Sequence, residues 1–148
     1  RHRRCERRRQ GSMNMDVTGA CHCGAVTFSA EVDEANVIVC HCTDCRKSAG
    51  APMVAWAMFK ADQFAITQGT VTTHNSSGAS MRNFCPKCGT GLFFTNAETL
   101  PGIVDVQSAT FDDPNQLPAQ VHIQTAERID WMATQHSLPE FARFPGAE

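Results

Sequence analysis

The sequence predicts a mainly β fold of antiparallel strands with few short helices, and two observations predict it. Apolar and polar residues alternate with period two over most of the chain after residue 16, the signature of half-buried strands. Helical patterns are confined to short segments after Cys42, at ADQF (61–64) and around ERIDWMA (127–133). At 148 residues the chain is long enough to bury one core and reads as a single domain over 13–148.

Each element follows from its local pattern. Val26, Phe28, Ala30 and Val32 alternate with Thr27, Ser29 and Glu31, giving a half-buried strand. ANVIVCHC (35–42) reads as a strand that delivers cysteines at its end, and PMVAWAMF (52–59) as a strand buried on both faces. FAITQG (64–69) and TVTTHN (70–75) flank Gly69, which predicts a hairpin or a bulge. MRNFC and GLFFT bracket a C-x-x-C, while IVDVQSATF (103–111) and AQVHIQT (119–125) complete the strands. Phe28, Trp56, Phe59, Phe84, Phe93, Phe94, Phe111 and Trp131 read as core or site walls. In FDDPNQLP (111–118), Asp112 and Asp113 are turn formers and caps. His122 falls on the opposite strand face from Val121 and Ile123 and reads as a surface or sheet histidine.

Composition narrows the class. The longest apolar run, APMVAWAMF, has nine residues and stops at Lys60, far short of the roughly 20 a membrane helix needs. Residues 1–12 hold six arginines and no apolar core, so they are not a secretory signal. Gln10-Gly11-Ser12-Met13 resembles a protease-site scar, and residues 1–12, with Cys5, read as an expression remnant; a basic arm for nucleic acid is the competing reading. Without them the charge is 7 basic against 14 acidic residues, a net of −7, which disfavours phosphate backbones as partners. A reducing, cytoplasmic setting, with neither nucleic acid nor membrane as partner, is the expectation.

Seven cysteines remain, in three groups: Cys21 and Cys23 as C-x-C, Cys40, Cys42 and Cys45 as C-x-C-x-x-C, and Cys85 and Cys88 as C-x-x-C. An odd count opposes a complete disulfide framework, and close pairs chelate an ion more easily than they meet disulfide geometry. Cys85-Pro86-Lys87-Cys88-Gly89 resembles a zinc knuckle, with Gly89 supplying the positive φ of its turn. Its natural partner is the Cys21/Cys23 pair, whose sulfurs share a face if they lie on a strand. Those four close a tetrathiolate site. Cys40, Cys42 and Cys45 are left together, and three ligands with an open position are the pattern of a catalytic zinc. A histidine completing that shell would make it structural instead; His22 and His41 sit inside the motifs, but alternation turns His41 away from the face of Cys40 and Cys42.

GACHCGAVTF, CHCTDCRKSAGAPMVAW, RNFCPKCGTGLFF and SATFDDPNQLPAQVHIQTAERIDW resemble the glutathione-dependent formaldehyde-activating enzymes, the family that includes centromere protein V. The resemblance runs from about residue 16 to 144, and all seven core cysteines fall in family positions. It implies a zinc-containing β-tent fold. It also implies a structural zinc on Cys21, Cys23, Cys85 and Cys88, and a catalytic zinc on Cys40, Cys42 and Cys45. The implied activity is a carbon–sulfur lyase reaction that forms or cleaves S-hydroxymethylglutathione from glutathione and formaldehyde.

The residues suit that chemistry. A thiol entering an open zinc position loses its proton readily, and the ion holds two reactants in register. Three thiolates blunt its Lewis acidity, so such a site suits binding and orienting a thiol better than making hydroxide. Arg46 and Lys47, with Arg82 and Lys87 near the knuckle, are candidates to receive the carboxylates of glutathione or another anion; neutralising the thiolates is their other reading. Asp44 is a candidate general base. The alternatives are a zinc enzyme for another small thiol, aldehyde or imine, and a binding module whose zincs are both structural.

Overall fold

The computed structural model describes residues 15–32 and 36–146; the proposed remnant 1–12, with Cys5, lies outside them. In chain order the strands are β1 (Met15–Ala20), β2 (Thr27–Val32), β3 (Val37–Cys40), β4 (Val54–Lys60), β5 (Phe64–Gln68) and β6 (Thr72–Ser77). They are followed by β7 (Ser80–Phe84), β8 (Gly91–Asn96), β9 (Leu100–Gln107) and β10 (Val121–Ile123). One α-helix, α1 (Thr43–Ala49), lies between β3 and β4. The expected mainly β class holds.

The strands form two sheets, β1-β2-β5 and β10-β3-β4-β9-β8-β7-β6. Every pairing is antiparallel except β10 with β3, which is parallel. The core lies between the sheets. Val17, Phe28 and Ala30 from the small sheet bury against Ala57, Phe59, Leu92, Val104 and Val106 from the large one, as period-two alternation requires. The Phe28 ring lies 5.7 Å from Phe64 and 6.1 Å from Phe111, distances at which aromatic rings attract.

On the far face of the large sheet a second apolar cluster gathers Cys40, Cys45, Val54 and Trp56. Thus β4 buries both faces, as its unbroken apolar run predicts: Ala57 and Phe59 inward, Val54 and Trp56 outward.

Several local expectations are corrected. Gly69 closes no hairpin, because β5 pairs with β2 while β6 pairs with β7. The chain changes sheets there: Gly69 has φ +78°, and a Cβ would strike the Ala25 carbonyl oxygen, so only glycine fits without strain. The strand expected over 103–111 stops at Gln107 and turns into a 3₁₀ segment, Ser108–Thr110. Phe111 still reaches the core, bridging to Gly19. Trp131 is no wall; it is 55% exposed on a 3₁₀ turn, Asp130–Ala133. Asp113 behaves as expected, capping the 3₁₀ turn Pro114–Gln116 through a bond from the Asn115 amide. Among the described residues, no helix is long and apolar enough to cross a membrane.

Candidate metal centres

Two turns bring the first four cysteines together. Cys21 and Cys23 do not lie on a strand; they sit in the turn after β1, tied by the Cys21 amide to the Val26 carbonyl. Convergence of the two sulfurs comes from that turn rather than from strand alternation. The opposite turn matches the expected knuckle: Gly89 has φ +78° and its amide bonds the Cys85 carbonyl at 2.9 Å. Amides also point at sulfur, from Val26 to Cys21 Sγ at 3.3 Å and from Lys87 to Cys85 Sγ at 3.4 Å. The four sulfurs lie within 4.8 Å of one another.

The donor set fits zinc. Cys21 and Cys23 sulfurs are 3.6 Å apart, and Cys23 and Cys85 sulfurs 3.8 Å. A disulfide needs ~2.05 Å, whereas a tetrahedron with Zn–S of ~2.3 Å sets its sulfurs ~3.8 Å apart. The thiols also resist ionising together. Bonds from the Thr90 hydroxyl and amide hold Cys88 down at about 5. An amide bond from Ala25 lowers Cys23, but burial and the adjoining Cys21, Cys88 and Cys85 outweigh it, and Cys23 is pushed up to about 11. A cation relieves that repulsion.

The other three cysteines depend on the end of β3 and the start of α1. Cys40 ends β3, and Cys42 is the N-cap of α1, its sulfur accepting the Cys45 amide at 3.3 Å. That bond replaces the usual oxygen cap and aims Cys42 and Cys45 at one point. Gly50 ends the helix in the left-handed region at φ +64°, a frequent glycine stop. The three sulfurs lie within 4.8 Å of one another, and no other described His, Cys, Asp or Glu joins them. Burial, then bonding to Cys42, pushes Cys45 up to about 12, and burial raises Cys40. These thiols also need a positive partner to ionise.

His41 points away, as alternation predicts. It is buried, with Nε2 2.9 Å from His122 Nδ1. His22 is exposed, its backbone amide bonding Thr90 Oγ1.

A cavity of about 260 Å³ opens onto the three sulfurs, with Trp56, Phe94, Arg82, Asp44 and Asp105 in its walls. A neighbouring cavity of about 560 Å³ shares Trp56 and Arg82 and adds Lys47, His74 and Gln107. Arg82 lies 5.1 Å over the Phe94 ring and bonds Ser76 Oγ through Nε at 3.2 Å, so this cation is held at the junction. Arg46 is turned back to its own helix, with Nη2 3.1 Å from Thr43 Oγ1. Lys87 carries its amide into the knuckle.

Asp105, His74 and Gln107 were not singled out from the sequence. Asp105 had a signal: it is the lone charge inside IVDVQ, out of phase with the buried Val104 and Val106.

The fold and the two thiol clusters define a mainly β protein whose grouped cysteines are compatible with metal binding. The chain belongs to the family of glutathione-dependent formaldehyde-activating enzymes, whose model matches residues 16–127. A Halomonas elongata protein assigned by name to those enzymes is 27% identical over 143 residues, covering 88% of this chain and 90% of that protein. An uncharacterised lyase of Schizosaccharomyces pombe is 32% identical over 79 residues, 53% of this chain and 57% of its own length. A crystal structure of a Rhodobacter sphaeroides protein shares the fold, with a TM-score of 0.58 and 23% identity over 71% of this chain and 98% of that one.

Proposed function

We propose that the chain is a zinc-dependent enzyme of carbon–sulfur lyase type that forms or cleaves a glutathione–aldehyde adduct such as S-hydroxymethylglutathione. The observation that carries this reading is the contrast between four clustered sulfurs and a separate group of three facing a cavity. Family membership and the relatives' names support it. In this reading Cys21, Cys23, Cys85 and Cys88 hold a structural zinc, while Cys40, Cys42 and Cys45 hold a second and leave one position for substrate. When bound there, zinc supplies a positive centre that eases loss of a thiol proton and polarises a carbonyl oxygen.

The chain's own residues bind and orient. Trp56 and Phe94, with ring centroids 6.0 Å apart, wall the smaller cavity with apolar surface and limit water around the reacting atoms. Lys47 and Arg82 line the adjoining space and receive the carboxylates of an anionic thiol such as glutathione, with Arg46 adding positive charge from the same helix.

The test is zinc per chain and formaldehyde–glutathione exchange in the same preparations. Two zincs, falling to about one in Cys42→Ser together with loss of exchange, support the reading. A single zinc insensitive to that change, with exchange no faster than buffer, would leave a zinc-stabilised binding module.

A further inference from the structure

We propose that Asp105 is a catalytic residue of the three-cysteine cavity, carrying the proton between the incoming thiol and the carbonyl oxygen of the aldehyde. The proposal rests on the lyase reading above and adds to it the group that moves the proton.

Strand geometry aims Asp105 at the site. Its neighbours Val104 and Val106 bury in the core between the sheets, so alternation sends Asp105 to the opposite face. Its register partners are Met58 on β4 and Phe94 on β8. Asp105 is only 7% exposed, and its buried Oδ1 has no hydrogen-bond partner. A carboxyl in that condition is costly to bury, and it caps no helix and closes no turn.

It lines the same cavity as Cys40, Cys42 and Cys45 yet does not join the cluster of sulfurs lying within 4.8 Å of one another. Asp105 thus lies in the cavity wall beside the thiol cluster without being a fourth member of it. The ionisable groups sharing the cavity are Cys40 from β3, Cys42, Asp44 and Cys45 from the α1 segment, and Arg82 from β7. Arg82 is engaged with Phe94 and Ser76. Asp44 lies on the helix surface and is exposed, whereas Asp105 is enclosed. Burial also pushes the Asp105 carboxyl up to about 6, a range in which a carboxyl both takes and returns a proton near neutrality.

In the forward step the sulfur–carbon bond forms, the carbonyl π bond opens onto oxygen, and the thiol proton passes through Asp105 to that oxygen. The carboxyl ends as it began. Cleavage is the reverse, and no oxidant or reductant is consumed.

The test uses the full zinc-loaded chain and its Asp105→Asn and Asp105→Glu variants. Exchange among formaldehyde, glutathione and their adduct is followed by NMR magnetisation transfer, beside bound zinc. We expect Asp105→Asn to lose about 100-fold in the catalysed rate with zinc content unchanged, and Asp105→Glu to recover part of it. An Asn variant as fast as the parent, or one that loses a zinc, would overturn the proposal. A second readout is independent of turnover: the ¹³C carboxyl resonance of Asp105, assigned by its absence in Asp105→Asn, on addition of adduct. If the parent chain proves inactive but this resonance moves, Asp105 faces the ligand, while the lyase reading and the proton transfer built on it both fall. A resonance that stays fixed removes Asp105 from the site whichever way the activity falls.

Discussion

The two thiol clusters use the same side chain and sit in contrasting places in the fold. The four-cysteine cluster joins the turn after β1 to the turn between β7 and β8, segments 62 residues apart at Cys23 and Cys85. Two of its members, Cys21 and Cys85, belong to the main core, so an ion there ties the small sheet to the large one. The three-cysteine cluster spans only residues 40 to 45, on the outer face of the large sheet, beside Trp56 and a cavity. Closing a long loop removes much chain entropy and closing a short one removes little. In the proposed reading, the long separation suits the four-cysteine cluster to a structural ion, and the cavity beside three sulfurs with no fourth donor among the described residues suits the other to chemistry.

The largest break in that contrast is expected from Cys85→Ser. Structural zinc is worth roughly 10 kcal/mol in small domains, comparable with the whole stability of a fold. The variant should lose its cooperative thermal transition, checked by circular dichroism beside zinc content. Cys42→Ser is expected to do the reverse. Serine is a good N-cap, so α1 persists and Tm moves by no more than about 5 °C, while thiol exchange falls at least ~100-fold. A Cys42→Ser protein that unfolds like Cys85→Ser would erase the distinction.

Next comes the pH dependence of Asp105. Burial raises its carboxyl from 3.8 to about 6 in the folded state. A raised carboxyl destabilises the fold only where the unfolded chain is ionised, so the cost is absent below 3.8. It grows as pH rises towards 6 and then stays constant at roughly 3 kcal/mol. Asp105→Asn removes it. The Tm advantage of the variant should therefore widen between pH 5 and 7, and a constant advantage would mean that the carboxyl is not perturbed.

Lys47→Ala should raise KM for glutathione about 5-fold, about 1 kcal/mol, with kcat little changed; a pure kcat loss would move Lys47 from binding to orientation. The smallest effect is expected at the knuckle turn. Gly89→Ala forces a side chain onto φ +78° at about 1 kcal/mol, so zinc should leave the four-cysteine cluster faster under chelator while exchange is unaffected.

Much of this was legible in the residues. The alternation of Val26, Phe28, Ala30 and Val32 marked a half-buried strand, seen in β2 and the residue before it. The three cysteine groups paired as their spacings suggested, because C-x-C and C-x-x-C are local chelating geometries that a short turn can satisfy unaided. Reading Cys21 and Cys23 as strand residues failed on mechanism, since the turn at Gly24, not the pleat, converges their sulfurs. The exposure of Trp131 was invisible because nothing in its window says whether another element will cover it.

By itself, then, the sequence determined the β class, the family, the knuckle turn at Gly89 and the division of the cysteines into four and three. The class rests on simple periodicity, the knuckle turn on contacts within a few residues, and the family and the grouping of the cysteines on motif spacing and resemblance. Only the tertiary structure decided that Gly69 passes the chain from one sheet to the other, that β10 runs parallel to β3, and that Asp105, Arg82 and Trp56 meet beside Cys40, Cys42 and Cys45. Those outcomes depend on which strands become neighbours and in what register, and pairing between distant segments is chosen by burying one common core rather than by any local window.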